Sequence, residues 1–253
     1  MTVEIRQFPC LSDNYGFLVR DLASDKVACI DTPDADAVLA ALGAAGWRLD
    51  LILNTHWHPD HAGGNAKLKE QTGAVSIGPA EVERLTPVDR KVADGDRVEL
   101  GATTFEVVDT GGHTLGHVSY YSAKDAVAFV GDTLFALGCG RLFEGTAEQM
   151  WASLSRLANL PGETMVYCAH EYTASNARFA LSVDQDPAVA ARAAAVFAAR
   201  QRGEPTVPTT IALERATNPF LRAPLLAASF GKSGLTDHEA FGAMRAAKDE
   251  FKG

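Results

Sequence analysis

A chain of 253 residues is long enough for one large domain or two smaller ones. Its net charge of −9 comes with no basic stripe, which argues against a nucleic-acid partner, and the absence of any run of 18 apolar residues argues against a membrane span. Cys10, Cys29, Cys139 and Cys168 show neither CxxC pairing nor disulfide-framework spacing, and no secretory signal is apparent, so reduced, mostly buried thiols in a cytoplasmic protein are expected.

Three short β-rich runs open the chain, Val3–Phe8, Tyr15–Arg20 and Lys26–Asp31. Asp34–Ala45 is Ala/Leu-rich, starts after Pro33 and stops at Gly46, as a helix should. Leu51–Asn54 reads as a short buried strand, and Ala62–Gln71 as a second helix closed by Gly73. Further strands are predicted at Ala74–Ile77, Thr103–Val108, Val118–Ser122 and Ala126–Val130, with a β-like run at Met165–Tyr167. A capping box, Thr146 to Gln149, precedes a helix over Met150–Leu160. Beyond Tyr172 no strand is predicted. Asp186 and Pro187 open an Ala-rich helix over Ala188–Arg202, and Thr236 to Glu239 is a capping box before a last helix that runs to about Phe251. The expected organisation is an α/β catalytic domain, 1–173, followed by a smaller helical domain, 174–253.

Residues 55–61, Thr-His-Trp-His-Pro-Asp-His, carry the chemistry. His56, His58 and Asp60 alternate, which puts three side chains on one side of an extended segment, and His61 breaks the alternation. Four potential ligands exceed what one catalytic metal needs if a position stays open, so the spacing points to two metals. Imidazole with carboxylate suits zinc, iron or manganese. His113 and His117, Asp132 and His170 each follow a β-like run, and strand ends are where α/β folds place sites. His238 lies outside such a context and reads as a surface residue.

These residues resemble the metallo-β-lactamase superfamily. Within it, Gly131–Phe135, Gly138–Thr146, His170-Glu-Tyr-Thr173, Asn218-Pro-Phe-Leu-Arg222 and the last helix are similar to glyoxalase II, the hydroxyacylglutathione hydrolases. The resemblance runs from Asp13 to the last helix and implies an α/β fold, an αββα sandwich with a C-terminal helical domain. It implies two divalent ions, zinc first, with iron or manganese as alternatives. His56, His58 and His113 would hold one, Asp60, His61 and His170 the other, and Asp132 would bridge them at roughly 3.5–4 Å. By the same resemblance Asp60 and Asp132 would be the catalytic carboxylates, acting as ligands. A metal-bound hydroxide, its pKa lowered from 15.7 to about 7, would attack the thioester carbonyl of S-D-lactoylglutathione in the second step of methylglyoxal detoxification. His117 is implied to be a buried histidine that orients the site.

Glutathione carries two carboxylates. Arg245 and Lys248, three apart on a helix, share a face and are implied to clamp the glycine carboxylate, with Arg141, Phe143 and Tyr172 at the other positions near the peptide. Arg141 stands where many members carry lysine, and Phe143 where some carry a tyrosine whose hydroxyl touches glutathione. Gly111-Gly112 stands where Pro-Gly is commoner. The expected partner is a small-molecule glutathione thioester, with no nucleic acid and no membrane, and the expected state is a monomer. Two other readings compete: another hydrolase of the superfamily, whose metal site would look alike, and a one-iron sulfur dioxygenase acting on glutathione persulfide, against which the second-metal set Asp60, His61 and His170 and the helical extension argue.

Overall fold

A computed structural model describes residues 2–230 and 234–253 of the protein. The chain groups into two compact units, Met1–Asp109 with Gly116–Gly131, and Thr110–Leu115 with Asp132–Gly253.

The first unit contains two sheets. β1 (Val3–Cys10) and β2 (Asn14–Asp21) form a hairpin in the register Val3↔Asp21 to Cys10↔Asn14, and β3 (Val27–Ile30) continues antiparallel. β4 (Leu51–Leu53), β5 (Val75–Gly78) and β6 (Arg90–Lys91) then add in parallel. Parallel neighbours need crossovers. α1 (Ala35–Ala45) makes the first, with Asp34 accepting from two backbone N–H groups at its start and Gly46 left-handed at φ 68° at its end. α2 (Pro59–Ala62) and α3 (Asn65–Thr72) make the second. Val38, Leu42 and Leu68 of these helices are buried against Leu18, Cys29 and Ile52 of the sheet. The second sheet is consecutive and antiparallel: β7 (Arg97–Leu100), β8 (Thr103–Asp109), β9 (Val118–Ser122) and β10 (Val127–Gly131). The sheets meet face to face, with the Phe129 ring 5.7 Å from Phe17 and 6.1 Å from Phe105.

The helix expected at Ala62–Gln71 is two helices with a break at Gly63-Gly64. A Cβ on Gly64 would lie 2.7 Å from the Thr32 carbonyl oxygen, so the chain passes too close to that backbone for any other residue. The extended segment expected at His56–Asp60 is also corrected: Pro59 starts a helical turn, and Asp60 and His61 sit on it.

The second unit contains a tight hairpin, β11 (Leu134–Phe135) with β12 (Gly138–Cys139), and an antiparallel pair, β13 (Met165–Cys168) with β14 (Thr209–Thr210). β14 is a strand in a stretch where none was predicted. It is too short for sequence periodicity to register. α4 (Ala147–Ala158) opens with the predicted capping box, Thr146 Oγ1 accepting from Gln149 N and Gln149 Oε1 accepting from Thr146 N. α5 (Thr173–Val183), α6 (Pro187–Gln201), α7 (Ile211–Thr217), α8 (Ala223–Leu226) and α9 (Asp237–Glu250) follow. α5 and α6 share a core of Ala177, Ala180, Val189, Ala193 and Val196, which also takes in Leu137.

Candidate metal centre

Four of the predicted ligands belong to the first unit. β4 stops at Leu53, and the chain leaves the sheet through Asn54 and Thr55. Asn54 and Asn65 exchange side-chain hydrogen bonds, and Asn54 Nδ2 also donates to His61 O at 3.0 Å, which pins the ligand loop at both ends. Asp31, just past β3, is buried and held at φ 55°, a left-handed conformation that side-chain-bearing residues adopt only under constraint. Its carboxylate accepts from Thr55 N at 2.7 Å and Thr55 Oγ1 at 2.8 Å, and lies 2.8 Å from His61 Nδ1. His61 Nε2 is thereby aimed to within 3.6 Å of Asp60 Oδ2, while Asn14 Nδ2 donates to that same oxygen at 3.2 Å. His56 Nε2 and His58 Nδ1 face each other at 3.0 Å. His117 is fully buried, with its ring stacked on His56 at 4.9 Å, as expected of a histidine that supports a ligand.

Three more belong to the second unit. The two oxygens of Asp132 each meet a different imidazole, His113 Nε2 and His170 Nε2, both at 3.4 Å. His113 Nδ1 is 2.9 Å from the Arg141 carbonyl oxygen and donates to it. Metal-binding histidines commonly give their second ring N–H to a carbonyl or carboxylate, which fixes the tautomer. His61 on Asp31 and His113 on Arg141 both follow that rule. The donor set therefore fits a divalent metal: imidazoles oriented from behind, and a carboxylate reaching two of them at once.

A cavity of about 450 Å³ in the second unit is lined by Asp132 and His113 together with Arg141, Phe143, Tyr172, Arg245 and Lys248. Arg245 and Lys248 do not form a solvated helix face. Arg245 is 5 % exposed; its guanidinium donates to Cys139 O at 3.1 Å and to Asp249 Oδ1 at 3.0 Å. Lys248 Nζ donates to Ser175 O and Oγ, both at 3.2 Å. Burial pushes the Lys248 ammonium down to about 8, and the nearby Arg245, Arg178 and Arg141 push the same way. Tyr172 stacks on the His170 ring at 4.7 Å, and Phe143, 62 % exposed, lies 5.1 Å from the His113 ring. His238 is half-buried at the start of α9 and joins neither group.

Sequence reasoning missed Asp31, Asn14, Asn54 and Asn65 around the ligands, and Ser175, Asn176 and Asp249 in the cavity. Asp31 had a usable signal, since it follows a strand run as Asp132 does. The asparagines had none, because their partners are distant in sequence. The four cysteines are free and buried, as predicted. Among the described residues, no helix is long and apolar enough to cross a membrane.

Residues 19–170 match the family model of the metallo-beta-lactamase superfamily, and residues 171–251 match that of the hydroxyacylglutathione hydrolase C-terminus. A hydroxyacylglutathione hydrolase of Erythrobacter litoralis (strain HTCC2594) is 55% identical over 252 residues, covering 98% of this chain and 100% of that protein. Among solved structures, ETHE1 from Myxococcus xanthus superposes with a TM-score of 0.69 at 27% identity, over 98% of this chain and 92% of that one. TTHA1623 in a di-iron-bound form gives 0.62 at 27% identity, over 86% of this chain and 100% of that one.

Proposed function

The chain belongs to the metallo-β-lactamase superfamily, among the hydroxyacylglutathione hydrolases, and on that premise we propose that it hydrolyses S-D-lactoylglutathione and other S-2-hydroxyacylglutathiones to the hydroxy acid and glutathione, the second step of methylglyoxal detoxification. The observation that carries the reading is the cavity of the second unit. One space is lined both by the paired ligands Asp132 and His113 and by the cations Arg245, buried, and Lys248, half-buried. A glutathione thioester needs that combination, with a reacting carbonyl at one group and a carboxylate at the other.

We assign His56, His58 and His113 to one divalent ion, Asp60, His61 and His170 to a second, and Asp132 to both. Zinc is the first choice, and iron or manganese accept the same donors. The di-iron form of TTHA1623 supports the count of two. When bound, the ions would polarise the thioester carbonyl and lower the pKa of a water from 15.7 to about 7. The chain's own residues bind and orient. Asp31 and the Arg141 carbonyl hold His61 and His113 in one tautomer. Arg245 and Lys248 take the glycine carboxylate, beside Arg141. Tyr172, Phe135 and Phe143 line the same cavity and supply its aromatic surface. Phe143 has no hydroxyl to donate, so the cations carry more of the recognition here. The division at residue 173 into catalytic and substrate-binding domains belongs to the same proposal, supported by the two family models meeting between residues 170 and 171. So does a cytoplasmic monomer, whose location the four free buried thiols support.

The test is the rate of S-D-lactoylglutathione hydrolysis by a sample of measured metal content, before and after chelation. Metal-dependent thioester cleavage is expected. Oxygen uptake on glutathione persulfide, or turnover of lactones or phosphodiesters, without thioester cleavage by a fully metallated sample would overturn it.

A further inference from the structure

The Asn218-Pro-Phe-Leu-Arg222 motif is absent from the lining of the substrate cavity, yet its first residue reaches the wall of that cavity from behind. The β11–β12 hairpin supplies that wall through Phe135, Cys139 and, just beyond, Gly140 and Arg141. Side chains hold the polar backbone groups around its turn. Asn218 Nδ2 donates to Phe135 O at 3.1 Å and to Gly138 O at 2.9 Å. Asn176 Nδ2 donates to Ala136 O at 3.1 Å, and Leu137 N donates to Glu214 Oε2 at 2.9 Å. The turn needs such support, since Leu137 sits at φ 57°, where a side-chain-bearing residue is strained. Asn218 and Glu214 are both fully buried and bonded to each other at 2.9 Å. Glu214 is held in turn by Thr209 and by an ion pair with Arg192.

We propose that Asn218 is a positioning residue for substrate binding. Backed by Glu214, it fixes the backbone of the hairpin whose far end carries Cys139, the carbonyl on which Arg245 rests, and Arg141. It touches no substrate itself. Its loss leaves the cations in place but lets the wall that aligns them relax. The inference rests on the glutathione-thioester reading above.

The test compares Asn218→Ser with the wild type and with Arg222→Gln. Serine can still accept from Phe220 N, as Asn218 Oδ1 does at 3.0 Å, but it cannot reach both hairpin carbonyls. Arg222 belongs to the same motif and bonds Asp184, Asp186 and Ala216 O, with no bond to the hairpin. Arg222→Gln therefore controls for lost stability. For Asn218→Ser, KM for S-D-lactoylglutathione should rise roughly 10-fold, the scale of one or two neutral hydrogen bonds. The inhibition constant of free glutathione should rise in parallel, kcat should stay within about 3-fold, and a short thioester lacking the tripeptide should be unaffected. Arg222→Gln should lower the melting temperature and leave KM unchanged. If Asn218→Ser does not fold, Glu214→Gln carries the test. It keeps the volume and replaces one oxygen of the tether, so the same KM shift is expected at smaller size. A KM unchanged beside a lowered melting temperature, or equal losses on both substrates, overturns the proposal. A wild type that does not cleave the glutathione thioester refutes the functional reading itself, and is recognised before any variant is measured.

Discussion

Asp132 is the residue on which the two-ion reading turns, since its two oxygens face two different imidazoles. Asp132→Ala should lower metal content and nearly abolish turnover while circular dichroism stays native, because the apolar cores contain none of the ligands. Unchanged metal stoichiometry would remove Asp132 from the centre. Arg245 and Lys248 act far from the reacting bond, so removing either charge should raise KM much more than it lowers kcat. A charge-assisted hydrogen bond contributes on the order of 1.5–3 kcal/mol, so Arg245→Gln and Lys248→Met should each cost roughly 10- to 100-fold in kcat/KM. Lys248 adds a pH signature. Its pKa is lowered to about 8 by burial and by neighbouring cations, so the ammonium is present below that pH and lost as pH rises through it. In the wild type, kcat/KM for the glutathione thioester should fall above about pH 8, and in Lys248→Met that fall should vanish. A fall that persists in the variant would assign the titration elsewhere.

At the scale of elements, the ligand loop depends on how α2 and α3 break. Gly64 is the N-cap of α3 in ordinary right-handed backbone, φ −82°, so its conformation alone would accept an alanine. The packing does not. The new methyl would lie 2.7 Å from Thr32 O and 3.2 Å from Ala35 N, both backbone atoms that cannot swing away. Overpacking of this kind costs about 1–3 kcal/mol, and the strain falls next to Asp31, which holds His61. Urea unfolding of Gly64→Ala should therefore show lower stability, with metal affinity reduced as well. A stabilised variant would mean that Gly64 is an ordinary helix break.

For the molecule as a whole, the buried thiols give a readout that involves neither metal nor substrate. Desolvation pushes Cys10 up to about 12, Cys139 up to about 11 and Cys168 up to about 12, and raises Cys29 well above its usual value. Thiolates, not thiols, react. The native protein should leave all four cysteines unmodified by a disulfide reagent at pH 8, and denaturation should release them. Fast modification of Cys139 in the native state would show that the substrate cavity opens more widely than the structure indicates.

What the sequence alone determined is what short-range chemistry writes into a chain. His56, His58, Asp60 and His61 lie within six positions, so their joint role is legible without a fold. His113, Asp132 and His170 are legible because each follows an apolar run. Capping residues such as Thr146 and Asp186 bond to backbone within three residues, so helix starts were legible too. The tertiary structure decided everything that joins residues far apart. Asp31 reaches His61 across 30 positions, Asn218 reaches Phe135 across 83, and Arg245 reaches Cys139 across 106. It also decided burial, which turns Arg245 and Lys248 from a possible solvated face into desolvated cations of a cavity. Hydrogen bonds and desolvation depend on distance in space, and local periodicity encodes only which face a residue occupies on its own helix or strand.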